Sequence, residues 1–141
     1  MDVIIAVRAA TDEDLPTINV FAAAEGMGVI ETDQDVYVAV NESDEIVGFI
    51  RLVFDGEGVC HVNPVVVYPT WRGFGVGRAL TDLALAAHGE LRLVSRGSSL
   101  AFYQSLGFEP IAWDLICEPI VAECDGCELM DECKPVPMRK Q

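Results

Sequence analysis

The sequence predicts a mixed α/β fold, and three observations predict it. Runs of β-branched residues recur, as in "VYVAV" at 36–40 and Val65, Val66 and Val67, and such runs favour buried strands. Val76, Leu80, Leu83 and Ala87 recur at spacings of four, three and four, which marks one face of a helix. Between the second valine run and that helix stands "YPTWRGFGVGR", with glycines on alternate positions at 73, 75 and 77, so the chain turns there from strand to helix. With 141 residues, 51% of them hydrophobic, the chain is long enough for one domain with a real core.

Taken in order, Val3 to Arg8 reads as a strand. Thr11 reads as an N-cap, with Asp12, Glu13 and Asp14 in the first turn, where acids suit the helix dipole. The following helix turns Leu15, Ile18, Phe21 and Ala22 inward and frays by Gly26-Met27-Gly28. Val36 to Val40 and Glu45 to Asp55 flank "NESD" as a hairpin. Val59 to Val67 is the next strand, after "DGEG", and Pro64 within it calls for a bulge. Pro69 ends it. A helix then runs from Val76 to His88 with Gly89 as its C′ residue. Leu91 to Ser95 is a strand. Ser98 or Ser99 caps a short helix that Gly107 and Phe108 close in Schellman fashion, and Ile111 to Ile116 is a last strand.

The glycine turn is where chemistry first appears. The opening N–H groups of a helix have no internal partner, the dipole adds partial positive charge, and glycine lets an anion approach the backbone closely. A tight turn without a ligand is the plain alternative. A P-loop would need Lys and then Ser or Thr after its last glycine, but Gly77 is followed by Arg78 and Ala79. The dinucleotide fingerprint G-x-G-x-x-G inside a βαβ unit also fails, because the spacing here is G-x-G-x-G.

Arg72-Gly73-Phe74-Gly75-Val76-Gly77 resembles the R/Q-x-x-G-x-G/A signature of the GNAT acetyltransferases, in which this turn cradles the pyrophosphate of acetyl-coenzyme A. "VRAATDEDLPTI" at 7–18 is similar to the family's strand-then-helix opening, "VYVAV" and "EIVGFIRLVFD" to its second and third strands, and "FYQSLGFEPI" at 102–111 to its closing tyrosine, Gly-Phe pair and following strand. The resemblance spans roughly residues 3–116. It implies a central mixed, largely antiparallel sheet of about six or seven strands with helices on both faces. It also implies a bulge near Pro64 that opens a gap between neighbouring strands for the thioester. Backbone N–H groups around Val65, Val66 and Val67 would hold the thioester and the pantetheine arm, and Arg72 would stack on or pair with phosphate. One position departs: where many members carry Asn seven residues before the tyrosine, this chain has Arg96.

Acetyl transfer to an amine needs a neutral nitrogen, a polarised thioester carbonyl and a stabilised leaving thiolate. The match to the family tyrosine gives the last task to Tyr103; a packed core tyrosine beside Phe102 and Leu106 is the alternative. An ordinary phenol and an ordinary thiol leave full proton transfer uphill by about 2 kcal/mol, so hydrogen bonding to the thiolate competes with protonation. No general base is legible. His61 and Glu57 lie near one strand and could relay a proton through water, although a satisfied structural histidine and a solvated carboxylate explain them more simply. Glu25, at the end of the first helix, is a weaker choice.

Net charge is −14 and the only lysines are Lys134 and Lys140, which argues against a nucleic-acid partner. The acidity would steer a cationic amine, or else serve solvation at high salt; its spread along the whole chain favours the second. No run reaches the roughly 18 apolar residues of a membrane span. The start, "MDVIIAVRAATDED", lacks a basic n-region, so a cytoplasmic location is expected.

The domain is expected to occupy residues 1–116 and a cysteine-rich tail 117–141. In that tail Cys117, Cys124, Cys127 and Cys133 are spaced C-x6-C-x2-C-x5-C, and four such thiolates suit structural zinc. An iron–sulfur cluster, disulfides and reduced, redox-sensing thiols are the alternatives. Cys60 reads as a small buried hydrophobe. Three functions stay open: an acetyl-CoA-dependent N-acetyltransferase for a small-molecule or peptide amine, an acyl-CoA- or metal-sensing module without turnover, and a partner-binding protein that uses the cysteine tail. A homodimer is compatible with each. Acceptor-binding residues are expected between Ala22 and Asp35.

Overall fold

The computed structural model describes residues 4–125 and 133–141, with the backbone alone at 124 and 125. Seven strands form a mostly antiparallel sheet: β1 (Ala6–Ala9), β2 (Val36–Val40), β3 (Ile46–Phe54), β4 (Cys60–Val67), β5 (Leu91–Ser95), β6 (Glu109–Pro110) and β7 (Val136–Lys140), in spatial order β1-β2-β3-β4-β5-β7-β6. The helices are α1 (Leu15–Ala24), α2 (Val76–His88), α3 (Leu100–Ser105) and α4 (Glu118–Asp125). The chain divides into two compact units, Met1–Leu52 with Pro64–Ala86, and Val53–Asn63 with Ala87–Gln141.

In the first unit β1 pairs antiparallel with β2, from Ala6 opposite Val40 to Ala9 opposite Tyr37. β2 pairs antiparallel with β3, and the register slips between Ala39 and Val40, opposite Gly48 and Ile46. Ile18 and Ala22 of α1 pack with Val36, Val38, Phe49 and Val66 in the core, and Leu15 and Phe21 lie partly buried against them. That is the inward face expected of α1. The helix does not fray, however. Gly26 adopts φ +70°, its N–H meets the Ala23 carbonyl at 3.0 Å, and the Met27 N–H meets the Ala22 carbonyl at 2.9 Å, a Schellman closure. Thr11 opens a 3-10 turn at Asp12–Asp14 before α1, and its N–H is taken by the Asp14 carboxylate at 2.8 Å.

Helix α2 has the expected bounds. Its buried stripe is Val76, Gly77, Leu80, Thr81 and Ala84, whereas Ala87 is exposed, because the buried face drifts round the helix by its 3.6-residue turn.

In the second unit β4 pairs parallel with β5 at His61 opposite Arg92, and β5 pairs antiparallel with β7 from Leu91 opposite Lys140 to Ser95 opposite Val136. α3 ends as its sequence predicts: Gly107 has φ +96°, its N–H reaches the Gln104 carbonyl at 3.0 Å, and the Phe108 N–H reaches the Tyr103 carbonyl at 3.1 Å. Its start differs, since a 3-10 turn at Gly97–Ser99 leads in and Ser99 makes no side-chain cap.

One expectation about the C-terminal region is corrected. Ile111–Ile116 is no strand: β6 is only Glu109–Pro110, and Trp113–Leu115 forms a 3-10 turn, with the Ile116 N–H on the Trp113 carbonyl at 3.1 Å. The strand that fills the sheet is β7, which lies between β5 and β6. Val136–Lys140, within the segment expected as a tail, is paired on both sides.

Candidate active site

The glycine turn stands at the start of α2, in the first unit. Val66 is buried while Val65 and Val67 are half-buried, so this end of β4 is anchored by alternate side chains. β4 runs as one strand through Pro64, where a bulge is expected, and it pairs with β5 before the proline, at His61. Beyond β4, Pro69–Trp71 forms a 3-10 turn and Arg72 is extended. Gly73 and Gly75 take φ +86° and +82°, and a Cβ on either would point into open space. Only glycine adopts this conformation without strain. The Ala79 N–H bonds the Gly75 carbonyl at 2.9 Å, and Val76 and Gly77 are the first two residues of α2, where N–H groups precede the helical ladder. The Phe74 ring is exposed and lies 5.6 Å from that of Trp71. An uncrowded backbone, positive φ and a helix N-terminus together make a cradle for an anion.

A residue not singled out from sequence positions this turn. A Cβ on Gly48 would lie 2.8 Å from the Val66 carbonyl oxygen and 2.9 Å from a Val76 methyl, so only glycine lets β3 approach both the end of β4 and the start of α2. The available signal is a glycine inside "IVGFIRLVF", an otherwise β-forming run.

Arg72 is paired: its Nη2 lies 2.7 Å from an oxygen of Glu25. The Tyr68 ring stacks on Phe21, with centroids 5.2 Å apart and planes 16° from parallel.

Tyr103, in the second unit, lies on α3 with its ring edge-on to Phe102 and Phe108. Burial pushes its phenol up to about 12, with Arg96 pulling the other way. It is a protonated donor at any ordinary pH. Arg96, the departure from the family pattern, is exposed and precedes the turn into α3.

His61 is committed to structure. It is fully buried, its Nε2 accepts the Cys117 N–H at 3.1 Å, and its Nδ1 lies 3.1 Å from the Val59 carbonyl. Accepting at Nε2 places the proton on Nδ1, and neither nitrogen is left for a substrate. Glu57 is exposed in the turn between β3 and β4, with its own N–H held by Asp55 at 2.9 Å. Glu25 is held by Arg72.

Of the four tail cysteines, Cys117 and Cys133 are half-buried and form no disulfide, and burial raises the Cys117 thiol above its usual range. Cys127 and the side chain of Cys124 lie outside the described residues. Among the described residues no group of three or more His, Cys, Asp or Glu is placed to hold a metal ion. Neither zinc nor an iron–sulfur cluster gains support from this arrangement. Cys60 is buried, as expected of a small hydrophobe. No helix among the described residues is long and apolar enough to cross a membrane.

Comparison with known proteins places these features. The acetyltransferase (GNAT) domain pattern matches residues 32–110. The peptidyl-lysine N-acetyltransferase YjaB of Escherichia coli (strain K12) is 36% identical over 77 residues, which cover 52% of this chain and 49% of that protein. The matched segment thus spans about half of that relative's length. The N-acetylglutamate synthase of Neisseria gonorrhoeae, solved with coenzyme A and N-acetyl-glutamate, superposes with a TM-score of 0.78 at 13% identity over 99% of this chain and 35% of its own. Rv2747 of Mycobacterium tuberculosis, solved with CoA and NLQ, gives 0.74 at 19% identity over 95% and 97%. The chain belongs to the GNAT acetyltransferase family.

Proposed function

We propose that this protein transfers the acetyl group of acetyl-CoA to a primary amine of a small molecule or peptide. The observation that carries the reading is the open, positive-φ glycine turn at the start of α2, within Arg72–Gly77. In this reading the N–H groups of Val76 and Gly77 take the pyrophosphate, with Gly73 and Gly75 keeping side chains out of its way and Phe74 flanking it. Backbone groups of Val65, Val66 and Val67 hold the pantetheine arm and orient the thioester carbonyl. The neutral amine attacks that carbonyl carbon: a C–N bond forms, the C–S bond breaks, and the nitrogen gives its proton to solvent. Tyr103 donates a hydrogen bond to the departing thiolate. The named activity of the relative YjaB favours a lysine-type amine as acceptor, and family membership favours transfer over the sensing and partner-binding readings.

Coenzyme A should bind in the micromolar range usual for enzyme substrates. Gly75→Asp puts a Cβ and a carboxylate where the pyrophosphate must lie, so titration calorimetry should show binding lost. Equal affinity for the two proteins would sink the assignment. Turnover is read as acetylated product by mass across an amine panel, because the chain's own cysteines confound thiol assays.

The four cysteines carry a separate proposal that rests on their spacing alone. If they hold zinc or a cluster, protein prepared without chelator and without oxygen contains about one metal site per chain. Metal-free protein whose four thiols all react readily with a maleimide would refute it.

A further inference from the structure

Two contacts join α1 to the segment that enters the glycine turn, and they share one spacing. Phe21 and Glu25 are four residues apart, one above the other on the same side of α1. Tyr68 and Arg72 are also four apart. Phe21 stacks on Tyr68 with ring centroids 5.2 Å apart, and Glu25 pairs with Arg72 at 2.7 Å. The backbone that carries this carboxylate is well fixed, because the Schellman closure through Gly26 and Met27 follows it directly. The carboxylate is badly placed for the helix itself: α1 ends at Ala24, and the negative end of the dipole there repels an acid. Local helix stability would favour a cation at Glu25. The Arg72 guanidinium compensates for it, and that side chain is 58% exposed at the mouth of the anion cradle.

We infer that Glu25 is a positioning residue for acetyl-CoA, holding the Arg72 guanidinium at the turn that takes the pyrophosphate. The inference rests on the cofactor reading above and deepens it. A guanidinium has five donors in a planar fork, so one edge stays on Glu25 while the other meets a phosphate oxygen. A long, exposed arginine otherwise has to give up rotamer freedom when ligand binds; fixed by Glu25, it has lost that freedom beforehand.

The test is a double-mutant cycle in the full chain, read by calorimetry with coenzyme A and by steady-state kinetics once an acceptor is found. Glu25→Ala should weaken coenzyme A binding about five-fold and raise KM for acetyl-CoA, while the turnover number at saturation stays put. Glu25→Gln, which keeps an oxygen for Arg72, should recover most of the loss. Arg72→Ala should weaken binding by at least as much, and the double variant should lose less than the product of the two single losses, because the two residues act as a coupled pair. Unchanged or tighter binding by Glu25→Ala, or losses that multiply in the double variant, would overturn the inference. Gly75→Asp separates the two levels. If it binds coenzyme A like the wild type, the cofactor site itself is misplaced. If it abolishes binding while the Glu25 variants change nothing, only the role of Glu25 falls. Thermal midpoints of the Glu25 and Arg72 variants should move little, since an exposed pair contributes little to stability.

Discussion

Tyr103 is a stronger case at residue scale for hydrogen bonding than for proton transfer. With its phenol at about 12 and an ordinary thiol near 8.5, moving the proton fully to the leaving thiolate costs about 5 kcal/mol. A short hydrogen bond costs nothing comparable and still stabilises the developing charge. Tyr103→Phe should therefore lower the turnover number about 100-fold with KM for acetyl-CoA nearly unchanged, the pattern of an interaction made in the transition state. An unchanged turnover number would return Tyr103 to a packing role. Burial raises this phenol, so its neutral form persists as pH rises, and no alkaline loss of rate below about 11 should trace to it. The strand-to-helix turn with its positive-φ glycines was legible because it sits in a local pattern of a few residues. For His61 the structural reading was the simpler one and it holds, but its partner was hidden, since what occupies its Nε2 is a backbone N–H 56 positions later. Gly48 escaped for a similar reason: its constraint comes from Val66 and Val76, which the linear sequence does not bring beside it.

Among the elements, the start of α1 has a titration to go with its geometry. The Arg8 guanidinium, 2.7 Å away, and the Thr11 N–H hold the Asp14 carboxyl down at about 2, against an ordinary value of 3.8. The folded value is the lower one, so this stabilisation is complete above about pH 4 and is lost as pH falls through the folded value. It amounts to about 1–2 kcal/mol for this half-shielded pair. Chemical denaturation at pH 7 and pH 3 should show that Asp14→Asn removes most of this part of the acid sensitivity; identical pH dependence in the two proteins would refute the assignment. The bounds of α2 and the close of α3 were readable because helix periodicity and Schellman signals are local, whereas the closure of α1 and the uncapped start of α3 were not. The segment 111–116 misled because "IAWDLI" alternates like a strand, yet the chain turns at Ala112, whose carbonyl takes the Leu115 N–H at 3.2 Å. β7 was hidden by the opposite fault: "VPMRK" carries a proline and two cations, poor strand signals, and is chosen by its partners rather than by its own propensity.

For the whole molecule, the decisive feature is the placement of that last strand. β7 is bonded to β5 on one side, where Arg92 faces Arg139, and to β6 on the other, where Glu109 also faces Arg139. Met138 is fully buried. Deleting residues 136–141 should therefore cost far more than trimming a tail: circular dichroism and gel filtration should show an unfolded or aggregated protein, and a monomer melting like the parent would contradict this. The arrangement also imposes an order in time. A hairpin such as β2–β3 closes over a five-residue connection as soon as both strands exist, whereas β5 finds its antiparallel neighbour only after some forty further residues have followed. Until then β5 and β6 present bare hydrogen-bonding edges to whatever lies nearby, including another copy of the same chain. A growing chain of this protein is thus most vulnerable to misassociation in the interval when β5 and β6 have emerged and the strand that seals the sheet has not.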